Sequence, residues 1–94
     1  MIRLNVFVQA ETDKYAEAVA VARLLAEESQ KEVGCIAYDV FQSVTRGDVF
    51  MICETWESPE ALQRHSATEH CTKLLPKLQE LAAVKLEQFD FPAK

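Results

Sequence analysis

The residues best suited to chemistry lie close together in this chain. Between Glu54 and His70 it carries a carboxylate (Glu54), an indole (Trp56) and two imidazoles (His65 and His70), in a run that leaves an alternating strand through a helix start. A carboxylate accepts hydrogen bonds, an indole donates one, and a neutral imidazole takes up a proton near its unperturbed pKa of ~6.5. Such a set suits proton transfer on a small molecule. It suits metal less well, because a spacing of five residues does not match the i, i+4 pair of a helical zinc site and no third ligand is evident. No metal and no cofactor are expected.

Each residue also has a plainer reading. His65 can line a helix junction, His70 can be a helix-entry residue just past a Thr68 cap, and Trp56 can be core or interface packing. Glu54 is a mid-strand carboxylate, a group rarely buried alone, so its first reading is an ion pair with Arg3, Arg64 or a second subunit. The Glu27-Glu28 and Lys31-Glu32 charges read as a solvated helix end without function.

The elements that must position these groups follow from local pattern. Ile2, Leu4, Val6 and Val8 alternate with Arg3, Asn5, Phe7 and Gln9, the two-residue period of a strand. Thr12 or Asp13 can cap a helix in which Tyr15, Ala18, Val19, Ala22, Leu25 and Ala26 recur at helical spacing, ending near Lys31 with Gly34 as its stop. Cys35 to Ser43 and Asp48 to Glu57 are strand-like, and Thr45-Arg46-Gly47 between them is short enough only for a hairpin. Ser58-Pro59 starts a short helix to about Arg64, and Ser66-Ala67-Thr68 is a joint. A second amphipathic face from Cys71 to Ala82, kinked at Pro76, precedes a closing strand from Val84 to Phe91.

This order, β-α-β-β-α-β, is the ferredoxin-like unit: an α+β domain over residues 1–94 with a four-stranded antiparallel sheet and both helices on one face. Bulky apolar residues stand on both sides of the strands, Phe7 against Val6 and Val8, Ile52 against Met51, Phe89 and Phe91 against Leu86. Helices cover only one side, so a second subunit is expected over the other, giving a homodimer of barrel-like form. A formal charge of -5 argues against nucleic acid and anionic membrane, which are bound through Lys and Arg. No apolar run approaches a membrane span, and Cys35, Cys53 and Cys71 form no paired motif and read as small packed hydrophobes. A cytoplasmic location is expected.

Taken in order, Glu32-x-Gly34-Cys35-x-x-Tyr38, Phe50-x-x-x-Glu54-x-Trp56 and Leu62-x-x-His65-x-x-Thr68-x-His70 resemble the antibiotic biosynthesis monooxygenase domain family. The resemblance spans nearly the whole chain. It implies a dimeric α+β barrel whose members include cofactor-free monooxygenases of quinols and aromatic polyketides, haem-degrading relatives and an isomerase of a phosphorylated signalling sugar. The haem branch is a poor match: it uses an Asn, Trp and His set, of which Asn5 fits the first, His65 falls at the Trp position and Leu75 at that of the haem-ligating His. Haem is therefore not expected as a partner.

Oxygenation without flavin or metal asks the protein to exclude water, orient an electron-rich ring, accept a phenolic proton and hydrogen-bond the developing oxyanion. His65 is the expected base and Asn5 the oxyanion donor, with Trp56, Glu54, Tyr38 and His70 at the substrate. That assignment requires the Asn5 face and the Trp56 face to be one and the same. Two other functions compete with a quinol-like or polyphenolic oxygenase: an isomerase of a small keto compound, phosphorylated or not, with His65 and His70 shuttling a proton, and a dimeric ligand-binding module without turnover.

Overall fold

The computed structural model describes residues 1–92, so the last two positions of the expected domain lie outside the described residues. Strand β1 (Ile2–Gln9) leads to helix α1 (Thr12–Ser29), the hairpin β2 (Cys35–Gln42) and β3 (Val49–Trp56), helices α2 (Pro59–Ser66) and α3 (Glu69–Leu81), and β4 (Ala83–Asp90). The sheet runs β2-β3-β1-β4 with every neighbour antiparallel. This is the expected ferredoxin-like α+β arrangement.

Local chemistry accounts for most boundaries. The Ser58 hydroxyl accepts from the Ala61 amide at 3.2 Å and Pro59 occupies the first helical position, so α2 starts where those two residues predict. Thr68 caps α3 in the same way through the Cys71 amide at 3.3 Å, and its hydroxyl donates to the His65 carbonyl at 2.7 Å. The start of α1 differs from expectation. Glu11, not Thr12 or Asp13, is its N-cap, without a side-chain bond, and the helix ends at Ser29 rather than near Lys31. Pro76 lies inside α3, which runs on past it to Leu81.

The core sits between the sheet and the helices. Ile2, Leu4, Val6 and Val8 of β1 and Phe50, Ile52, Glu54 and Trp56 of β3 are buried there against Ala18, Val21, Ala22 and Leu25 of α1, whose spacing places them on one helical stripe. Register then fixes which side chains share a row: Tyr38, Glu54, Leu4 and Gln88 lie side by side across the four strands, followed by Val40, Ile52, Val6 and Leu86. The opposite face carries Asn5, Phe7, Phe41, Met51, Cys53 and Phe89, with Phe41 and Phe89 about half exposed. Among the described residues no helix is long and apolar enough to cross a membrane.

Candidate active site

The turn after α1 and the joint between α2 and α3 meet over the sheet. Gly34 makes that approach possible: its backbone is left-handed at φ 91°, and a Cβ there would fall 2.6 Å from the Cβ of Ala61 in α2. The Gly34 carbonyl also accepts from the Glu57 amide at 2.8 Å, tying the turn to the end of β3. Glu32 is thereby delivered to the helix joint. Its Oε2 lies 2.7 Å from His65 Nδ1 and 2.7 Å from His70 Nε2.

A carboxylate can only accept, so both rings present N–H to that one oxygen. The consequence for His65 is specific. With Nδ1 holding the proton, the neutral ring carries its lone pair on Nε2, which faces Glu54 Oε1 at 3.9 Å. His65 is buried, and the Trp56 ring packs against it with centroids 4.4 Å apart. The Trp56 indole N–H donates to Glu54 Oε1 at 2.9 Å. Imidazole, carboxyl and indole thus brace one another from α2 and β3.

Below them lies a cavity of about 230 Å³ between the sheet and the helix joint. Tyr38, Glu54, His65 and Ser66 supply polar groups to its wall, while Leu4, Val6, Ile52, Leu62 and Leu75 give it a predominantly apolar lining. Among the described residues no Lys or Arg lines it. Larger clefts of about 370 and 420 Å³ open near Gln9 and Ala83 at the far end of the strands, and one of about 260 Å³ lies between α1 and β2; among the described residues none is lined by a histidine. Chemistry therefore points to the smaller cavity.

Burial in this setting moves proton equilibria. It raises the Glu54 carboxyl to about 7; hydrogen-bonding groups of Trp56 and Tyr38 pull it back in part, and the Glu32 charge adds to the rise. The Tyr38 phenol is pushed up as well, by burial and then by the Glu54 charge. Cys35 is raised to about 11 by burial and by the charges of Glu32, Glu54 and Asp39, so it stays a thiol at neutral pH. Burial likewise raises Cys71. Both thiols are thereby kept protonated at neutral pH.

The expected site residues divide accordingly. Tyr38, Glu54 and His65 meet at the cavity, His70 reaches the cluster through Glu32, and Trp56 stands behind the wall as a brace, not in it as a stacking platform. Asn5 is a correction. It pairs with Cys53 and Glu87, one residue out of phase with Leu4 and Glu54, and so projects from the opposite face of the sheet. The expected assignment, which required Asn5 and Trp56 to share one face, therefore fails in the pairing of Asn5 as oxyanion donor with His65. Glu54 pairs not with Arg3 or Arg64 but with the Trp56 indole.

Glu32 is the group that sequence reasoning set aside as solvated charge. Its side chain is only 13% exposed, and it joins α1's end to both histidines. It also supplies the third donor that seemed to be missing: Glu32, His65 and His70 each offer a ligand atom within 4.8 Å of the others. The present arrangement is one of hydrogen bonds. A signal for Glu32 did exist in the sequence, since Glu32-x-Gly34 opens the motif that carried the family resemblance.

An antiparallel ferredoxin-like sheet, closed on one face by a long helix and a broken one over a predominantly apolar cavity, defines an α+β domain of the ferredoxin-like class. The chain belongs to the antibiotic biosynthesis monooxygenase family, whose sequence profile matches residues 1–77. It is 29% identical over 87 residues to YcnE of Bacillus subtilis, provisionally named a monooxygenase, covering 93% of this chain and 92% of that protein. A conserved protein of unknown function from Bacteroides thetaiotaomicron superposes with a TM-score of 0.94 at 51% identity, covering 96% of each chain. SnoaB of Streptomyces nogalater, a cofactor-independent oxygenase, shares the fold at a TM-score of 0.86, with 13% identity over 99% of this chain and 94% of that one.

Proposed function

We propose that this chain oxygenates small uncharged hydroquinones with dioxygen and without flavin or metal. The observation that carries the reading is the cavity beside His65: apolar walls, four hydroxyl or acid-base groups and, among the described residues, no Lys or Arg. An engineered cavity of ~150 Å³ accepts benzene, so about 230 Å³ suits a hydroxylated ring or two better than a four-ring polyketide. The lack of Lys and Arg among the described lining residues disfavours a phosphorylated substrate, whose charge would need pairing. His65 Nε2 takes the phenolic proton, and Glu32 holds the ring in the accepting tautomer. The electron-rich phenolate then reduces oxygen directly. For benzene-1,4-diol the balance is diol plus O₂ giving hydroxyquinone plus water.

The test is oxygen uptake by chelator-treated protein with benzene-1,4-diol, naphthalene-1,4-diol and a sulfonated naphthalene diol. Acceleration over buffer with the two neutral diols, lost in His65→Ala and absent for the sulfonate, is the expected result. No acceleration with either neutral diol would remove the oxygenase reading. Deuterium entering an uncharged ketone from solvent without oxygen uptake would instead support the enolising isomerase.

A further inference from the structure

The reaction above needs more proton transfers than one imidazole can manage at once. Once His65 holds the phenolic proton, oxygen adds to the neighbouring ring carbon as a peroxide anion, and that carbon must later lose its hydrogen as the O–O bond breaks. A second group has to protonate the peroxide and then remove the ring proton. One such group faces the same cavity. Glu54 is 4% exposed, lines the wall, and sets Oε1 3.9 Å from His65 Nε2, with no Lys or Arg among the described residues of that wall to fix it as an ion pair.

We propose that Glu54 is a second catalytic residue, the proton donor to the ring peroxide and the acceptor of the ring C–H proton. This rests on the oxygenase reading and adds a role to it. The steps balance. His65 takes the phenolic proton; O₂ bonds to the adjacent carbon and accepts an electron pair from the phenolate; Glu54 protonates the distal oxygen to give the hydroperoxide. Glu54, now a carboxylate, removes the ring proton; that C–H pair forms the new carbonyl, the O–O bond breaks, and the departing hydroxide takes the proton from His65. Both residues end as they began, and the product is the hydroxyquinone with one water.

Two observations fit Glu54 to this cycle. Burial raises its carboxyl to about 7, so both protonated and ionised forms are accessible at neutral pH. The Trp56 indole N–H, 2.9 Å from Oε1, holds the side chain in place while bonding either form. Trp56 is in this respect a positioning residue.

Glu54→Gln keeps an acceptor for the Trp56 indole and removes only the proton chemistry, so folding should survive. Steady-state oxygen uptake would be measured with naphthalene-1,4-diol, protiated and deuterated at the ring carbons beside the hydroxyls, for wild type, Glu54→Gln and Glu54→Asp. The expected result is a fall in kcat of roughly 10²-fold for the Gln variant with little change in KM. Its deuterium isotope effect should exceed that of wild type, because C–H removal becomes limiting, and the Asp variant should recover part of the rate. A Gln variant with wild-type kcat, or a slowed one whose isotope effect equals that of wild type, would overturn the role of Glu54 while leaving an oxygenase. A wild type that oxidises no diol would overturn the oxygenase reading and this one with it.

Discussion

Holding a carboxyl at about 7 inside the fold has a stability consequence that needs no substrate to measure. Glu54 moves from an ordinary 4.5 to about 7, chiefly through burial, which penalises the charged form. The folded chain therefore keeps this proton over a range in which the unfolded chain has released it. Stability from this group is full below about pH 4.5, declines as pH rises through the interval, and reaches its minimum above about pH 7. A shift of that size at ~1.36 kcal/mol per unit amounts to about 3 kcal/mol between the two limits. Other titrating groups contribute their own slopes, so the useful quantity is the difference between wild type and Glu54→Gln, in which those slopes cancel. Urea unfolding at several values between pH 4.5 and 8 would supply it. The variant should gain about 3 kcal/mol on wild type in going from the acid to the alkaline end. Parallel stability curves for the two proteins would refute the burial argument.

Three further outcomes follow from the geometry. Replacing Trp56 with Phe removes the N–H that favours ionised Glu54, so the carboxyl should titrate about one unit higher still, read by carbon NMR of labelled glutamate. Gly34→Ala meets both a left-handed backbone and the Ala61 methyl, and urea denaturation should show a loss of about 2 to 4 kcal/mol; a loss under half a kcal/mol would contradict the close approach. We propose a second copy of the chain as cover for the outer sheet face, where Phe41 and Phe89 are half exposed. Sedimentation at micromolar concentration should give twice the chain mass, and Phe41→Glu should return the protomer; a wild-type monomer would refute it.

The order of elements was legible because its signals are local. Alternation in β1, the Ser58-Pro59 start and the Thr68 cap each depend on residues within a few positions, and each holds in the structure. The face of Asn5 was not legible. A strand's two faces are clear from its own sequence, but which of them joins which face of β3 depends on register between residues some fifty positions apart. Glu32 escaped for a related reason: its bonds reach 33 and 38 positions along the chain, and a carboxylate beside Lys31 and Glu28 looks like any helix-end charge until the turn is folded. Tyr38, Glu54 and His65 were named from composition and resemblance, and the row through β2 and β3 that gathers two of them came only with register.

The break between α2 and α3 explains how histidines five residues apart come to serve one carboxylate. In a continuous helix they would point about 140° apart, and no single oxygen could reach both. Here Ala67 ends one helix and Thr68 begins the next, its hydroxyl giving a bond to the His65 carbonyl and taking one from the Cys71 amide. The chain turns between the imidazoles, so both rings face the Glu32 turn. The same turn sets their unequal positions: His65 is directed inward against Trp56 and the cavity, and His70 stays nearer the surface, with its side chain 18% exposed against 5%. One carboxylate thus anchors a buried, cavity-facing imidazole to a more exposed one. The capping chemistry of a single threonine is what brings that about.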